Sequence, residues 1–331
     1  MVQVLNFQQH FNLMKFIKNF ILILLFILPI SNSFGAMHTF VQKAAVTDGT
    51  NNDPMGVHFN PEGTKMFILS QSPDTGDFSH VSEYNLSIPF DISTKTYAGN
   101  GERCILDNGD GDYGPTDWMH GLKFSHDGMM LFVGRGNAGS NNANADRVFR
   151  FDLTSPYDIS TCNFPVGSAV HATLNLDDDD LQDGSNAGPD TDDEDFAVPS
   201  TNNRLRGFDF SNDGKRLFIL FGGSGNNHYT RLLEYQLSIA YDLSTISIVT
   251  DAGIRLQNAG SSITPVGNAK GIDFSPDGKR FWVVDHAGNN YPRDITQVSL
   301  DMAFSTSSFT IDGTVEFINS GSGGAPQPSG L

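Results

Sequence analysis

Three groups of residues have types and spacings suited to chemistry. The first is acidic. Residues 177–195 hold ten acids and no lysine or arginine, among them Asp178, Asp180, Asp183 and Asp192. Upstream, Asp107, Asp110 and Asp112 alternate with glycine and asparagine. Carboxylates at such density suit calcium, a hard cation that collects oxygen ligands, so calcium is the candidate cofactor. The run Asn108-Gly109-Asp110-Gly111-Asp112 starts like an EF-hand loop, but Tyr113 stands where the turn glycine belongs and Met119 where the bidentate glutamate belongs. A solvated charge run is the alternative. The second group is basic: His120, Arg206 and Lys270, each just ahead of a glycine in a recurring motif whose first copy has Met55 there. Convergent cations in an acidic protein suit a carboxylate or sulfate ligand; the alternative is pairing with the acidic segments. The third is Asp209 and Asp273, with Asp285 and His286. They would serve a metal-dependent hydrolase, but His58 and Lys123 occupy the same position in the first two copies of the motif. With no matched ring of ligands, structural pairing within a blade is the expected role. Tyr113, Trp118, His228, Tyr229, His286 and Tyr291 add candidate contact residues for a ligand. Trp118 beside Tyr113 and His120 fits a sugar-stacking platform, although Trp118 and Trp282 also suit packing. No nucleophile elbow, zinc-protease helix or phosphate loop is present.

These residues are positioned by a repeat. Gly271-Ile272-Asp273-Phe274-Ser275-Pro276-Asp277-Gly278 reads as a strand followed by a tight turn with glycine in the left-handed region. Equivalent stretches open at Gly56, Gly121 and Gly207, spaced 65, 86 and 64 residues apart. A second motif follows each hairpin: Leu86-Ser87-Ile88-Pro89-Phe90-Asp91-Ile92-Ser93-Thr94, its counterparts from Leu153 and Leu237, and a fourth copy from Leu300 that lacks the aspartate. Each repeat of about 65 residues supplies four strands, a to d, and strand b is apolar on both faces, as in Arg216-Leu217-Phe218-Ile219-Leu220-Phe221. Four tandem antiparallel units make an all-β protein, a β-propeller of four blades. Thr39–Val46 and Thr314–Ile318 are further strand-like segments, one of which is expected to close the ring and which leave room for a partial extra blade.

The Phe-Ser-Pro-Asp-Gly-Lys-Arg stretch resembles WD40-like (PD40) and YVTN-type propeller repeats, and the Tyr-Asp-Leu-Ser-Thr tail is similar to tandem repeats of exported bacterial and phage-associated proteins. The likeness spans roughly residues 40–317 and implies the propeller fold. It implies no activity, because such propellers serve many purposes. The acidic stretch faintly resembles thrombospondin-type calcium repeats.

Organisation follows. Residues 1–35 carry Lys15, Lys18 and an apolar run from Phe20 to Ile30, then Ser33-Phe34-Gly35 as a cleavage site. This reads as a signal peptide, with Met14 able to head it alone. The propeller covers 36–318 with an acidic insertion at 177–198, and 319–331 is a Gly/Ser/Pro-rich tail expected to be disordered. The chain carries −18, hence −20 after removal of the signal, which argues against nucleic acid and anionic membranes. No later segment suits a membrane span. The expected location is secreted or periplasmic. There Cys104 and Cys162 are permitted a disulfide, with two buried thiols as the alternative. Long irregular connections fall on the b–c and d–a side of the blades, where binding residues concentrate. The reading is a non-catalytic module that binds an extracellular protein or polysaccharide through that face. The alternatives are a lactonase-like or other hydrolase or lyase with its site at the channel mouth, and a structural repeat of a surface or virion assembly.

Overall fold

Runs such as Phe67-Ile68-Leu69 and Leu217-Phe218-Ile219-Leu220 alternate their side chains between two apolar layers, and this makes a strand that only a sandwich of sheets can bury. The computed structural model describes residues 44–46, 53–71, 79–106, 118–136, 147–162, 174–175, 203–223, 231–255, 269–285 and 294–316. They form four antiparallel sheets in a ring, a four-bladed β-propeller, with no α-helix among them. Blade 1 contains β1 (Asp53–Phe59), β2 (Lys65–Gln71), β3 (His80–Leu86), β4 (Lys95–Tyr97) and β5 (Arg103–Ile105), the last two sharing β3 as neighbour. Blade 2 contains β6 (Trp118–Phe124), β7 (Met130–Gly136), β8 (Arg147–Asp152) and β9 (Leu174–Asn175). Blade 3 contains β10 (Asn203–Phe210), β11 (Arg216–Gly223), β12 (Arg231–Leu237) and β13 (Ile246–Arg255). Blade 4 contains β14 (Ala269–Phe274), β15 (Arg280–Asp285), β16 (Asp294–Leu300) and β17 (Phe309–Glu316).

The strands of each blade are consecutive in sequence. Thr314–Glu316 therefore belongs to the outer strand of blade 4 and is not a surplus strand closing the ring, as the sequence had suggested. Among the described residues there is no fifth sheet. Of the upstream segment, residues 44–46 are described: Val46 packs against Met66, Ile68, Tyr84 and Leu86, and its carbonyl accepts the Tyr84 hydroxyl at 3.3 Å. The signal-like region, the acidic insertion and the tail lie outside the described residues. Among the described residues no helix is long and apolar enough to cross a membrane.

The two sequence motifs are locked together for a visible reason. Phe90, Tyr157, Tyr241 and Phe304 all have positive φ, near +53 to +60°. Each donates its N–H to the carbonyl of the hairpin glycine of its own blade, for instance Tyr241 to Gly214 at 2.8 Å. Each ring then lies where a glycine Cβ would project, 2.2–2.3 Å from that point in all four blades. A left-handed turn glycine is thus required both by its φ and by the aromatic lid above it. Ser275 and Asp277 complete the turn, with the Ser275 hydroxyl donating to Asp277 Oδ1 at 2.6 Å and Lys279 N to the same oxygen at 3.0 Å.

Three continuous apolar layers join the blades. Phe67 and Leu69 pack with Leu122, Leu131 and Val133; Phe132 and Val148 with Phe208, Leu217 and Ile219; Phe218 and Leu220 with Ile272, Phe281 and Val283. Each layer carries a polar clamp on the carbonyl of the left-handed aromatic in the next blade: Lys65 Nζ to Tyr157 O at 3.0 Å, Arg150 Nη1 to Tyr241 O at 3.3 Å, and Arg216 Nη1 to Phe304 O at 2.7 Å. Cys104 on β5 and Cys162 after β8 form a disulfide that staples blade 1 to blade 2, which settles the choice the sequence left open.

Candidate functional site at the propeller axis

β1, β6, β10 and β14 are the innermost strands, and their shared glycine lets them approach the axis. A Cβ built on Gly207 would stand 3.1 Å from Gly271 Cα, and one on Gly56 would stand 3.3 Å from Leu122 Cβ. All four strands bulge at this level. The unmatched residue is Met55, Arg206 or Lys270 in three blades and Gly121 in blade 2.

Two residues beyond the glycine lie His58, Lys123, Asp209 and Asp273, and here the structure departs from the expectation of pairing within a blade. The charges pair across blades. Lys123 Nζ of blade 2 reaches Asp209 Oδ2 of blade 3 at 3.1 Å and Asp273 Oδ1 of blade 4 at 2.5 Å. Asp209 Oδ2 also accepts Phe274 N of blade 4 at 2.9 Å, while its Oδ1 accepts Phe210 N at 2.8 Å. The Lys123 side chain is 8% exposed and that of Asp209 13%, whereas Asp273 is half exposed. Burial works against the Lys123 ammonium, but Asp209 and Asp273 outweigh it and hold its pKa above the ordinary lysine value. Burial raises the Asp209 carboxyl, against the pull of Lys123. The ring of His58 of blade 1 lies tilted against that of Phe124 at 5.2 Å, and its pKa is lowered to about 3 by burial first and the Lys123 charge second, with Asp273 opposing. The imidazole is neutral at physiological pH.

The cluster is therefore a hub in which one ammonium stands between two carboxylates. An ammonium here fills the position a divalent cation would need, and the Asp209 oxygens are further committed to backbone N–H groups of two blades. Among the described residues no group of three or more His, Cys, Asp or Glu is arranged to hold a metal. The hub was open to sequence reading, because its four members share one column of the repeat. Reading that column for identical ligands hid its meaning, which is complementary charge.

The other candidates are distributed as follows. His120 and Arg206 are buried, at 2% and 3% exposure, and Lys270 is half-buried, all at the loop-bearing end of the innermost strands. Trp118 opens β6 and Asp285 closes β15. Trp282 is half-buried and donates Nε1 to Gln297 Oε1 at 3.0 Å. Tyr113, His228, Tyr229, His286, Tyr291 and the acids Asp107, Asp110, Asp112, Asp178, Asp180, Asp183 and Asp192 lie outside the described residues. Sequence reasoning did not single out Arg103, whose Nε and Nη2 are shielded and meet no acceptor among the described residues.

Comparison with known proteins adds similarity at the level of architecture. No family model matches the chain, and no curated protein matches it. Among solved structures it is similar to a putative 6-phosphogluconolactonase from Bacteroides fragilis, at 10% identity over 80% of this chain and 71% of that one, with a TM-score of 0.40. It is similar to a thermostable family-43 glycoside hydrolase at 10% identity over 81% and 77%, TM-score 0.44. It is similar to a chain of a nidogen/laminin complex at 11% identity over 76% and 62%, TM-score 0.36. The chemistry of this chain is argued from its own residues.

Proposed function

We propose that the protein is an exported, non-catalytic binding module that recognises an extracellular protein or polysaccharide through the loop-bearing end of the propeller. The observation that supports this is the division of the connections. The b–c and d–a links, such as 107–117, 137–146, 176–202, 224–230 and 256–268, all leave the sheets at one end. The a–b links and the described parts of the c–d links are repeated and internally hydrogen-bonded at the other. A rigid ring with variable connections on one rim is the arrangement by which scaffolds present binding residues. The axial hub fits the same reading: its charges are spent on holding three blades together. Calcium bound by the acidic connections would order part of that rim.

The test is a binding screen against immobilised polysaccharides and extracellular proteins. Wild type is compared with a variant whose residues 224–230 are replaced by a Gly-Ser linker, and with Asp277→Ala on the opposite end. Loss on loop replacement with retention in Asp277→Ala is the expected result; the reverse pattern overturns the reading. Thermal melting with millimolar calcium checks the ion separately, and an unchanged midpoint removes calcium from the proposal.

A further inference from the structure

Four described cations of the blades follow one rule. Lys65 reaches Glu83 Oε1 and Tyr157 O, Lys123 reaches two aspartates, Arg150 reaches Asp152 and Tyr241 O, and Arg216 reaches Glu234 and Phe304 O. Arg103 on β5 breaks it. Its Nε and Nη2 are shielded from water and meet no acceptor among the described residues. Among the described residues its guanidinium lies over the ring of Tyr97, 5.4 Å from Cζ. A shielded guanidinium edge without an acceptor is costly, and the cost is relieved when an anion arrives. Nε and Nη2 together are the side of the fork that grips a planar carboxylate with two parallel bonds.

We propose that Arg103 is a binding site for a carboxylate-bearing sugar, a uronate, on the outer flank of blade 1. Register places its neighbours on the same face of the sheet: Arg103 stands opposite Ser82, Tyr97 opposite Tyr84 and Lys95 opposite Leu86. Lys95 Nζ lies 5.1 Å from the centre of the Tyr84 ring, so a second cation lies two pairs further along the same face. Tyr97 donates its hydroxyl to Asn100 Oδ1 at 2.9 Å, which leaves the amide nitrogen of exposed Asn100 for a sugar hydroxyl. The carboxylate takes the Nε–Nη2 edge, and the hydroxyl-bearing ring lies towards Tyr97 and Asn100. Entry displaces the cover of that edge, and the local structure permits it. β4 and β5 have three residues each, pair only with β3, and are joined by Ala98–Glu102.

The probe is sodium glucuronate at about 10 mM, with glucose and acetate beside it, read by thermal unfolding and by amide exchange of residues 98–103. Glucuronate is expected to raise the unfolding midpoint and slow exchange there, glucose to do neither, and acetate to act more weakly. Arg103→Lys keeps the charge but loses the fork, so glucuronate affinity should fall by about tenfold or more. No response of wild type to glucuronate, or an equal response of Arg103→Lys, overturns the site. Acetate binding as tightly as glucuronate overturns the sugar assignment. Replacement of 224–230 leaves the glucuronate response intact, so this site and the loop-bearing rim fail or stand separately.

Discussion

His58→Gln tests the electrostatics of the axis. In the fold the imidazole has a pKa near 3, against 6.5 for the free side chain. Between these values the unfolded chain binds a proton that the folded chain refuses, so stability falls as the pH drops below 6.5 and goes on falling to about 3. Above 6.5 both states hold the neutral ring and the effect vanishes. At pH 5 the gap spans one and a half pH units, and at about 1.36 kcal/mol per unit it removes about 2 kcal/mol relative to pH 8. The groups facing His58 keep the sign secure. Lys123 remains charged throughout this window, and protonating the imidazole beside it adds a second positive charge to a buried hub. Glutamine is neutral at every pH, so the variant should lack this slope. Glu83, whose pKa is raised by burial, titrates with the opposite sign but is common to both proteins and cancels in the difference. The assay is urea unfolding of wild type and His58→Gln at pH 8, 7, 6 and 5, followed by tryptophan fluorescence. Wild type should lose about 2 kcal/mol more than the variant between pH 8 and pH 5. Parallel pH profiles would show that the ring is solvated and protonates freely, and the account of a shielded imidazole at the axis would fall.

Three other substitutions probe separate parts of the design. Asp209→Ala removes an oxygen from Lys123 and acceptors from two backbone N–H groups. It should cost about 3–5 kcal/mol in denaturant unfolding, as breaking a buried pair does. Cys104→Ser opens a loop of 58 residues between blades 1 and 2. The loop-closure relation gives a loss of about 4 kcal/mol, and wild type under reductant should match the variant. Gly214→Ala faces a positive φ and the Tyr241 ring 2.3 Å from the new carbon. It should lose about 2 kcal/mol or more in unfolding free energy, and Tyr241→Ala in the same background should recover part of that loss by removing the collision.

The repeat was legible because its residues answer local demands. A left-handed turn needs glycine, a strand between two layers needs apolar side chains on both faces, and the aromatic of the second motif must cover the glycine of the first. Such requirements recur in every blade and leave the same letters each time. What joins one blade to the next was harder to read, because its parts are far apart in the chain and differ in kind. Lys65, Arg150 and Arg216 perform one task, gripping the carbonyl of the next blade's aromatic, from two strand positions in the blade, b and c, and with two residue types. The hub at 58, 123, 209 and 273 has the same character, since an ion pair needs unlike partners. Arg103 left no signal at all, because an unanswered cation is defined by what surrounds it in space.

The same contrast separates scaffold from recognition surface. Where the four repeats agree, at Gly63, Gly128, Gly214 and Gly278 and the rings above them, the residues are consumed by the fold: each ring fills the space of a side chain and each carbonyl is bonded. Where they disagree, two outcomes are possible. At the axis the unlike residues answer one another, Lys123 with Asp209 and Asp273, so divergence there is structural. At Arg103 divergence is not answered from within the described protein. A departure from the repeat points to a ligand only when the neighbouring blades leave the new group unpaired, and this criterion distinguishes a charged hub from a binding site in a ring built of near-copies.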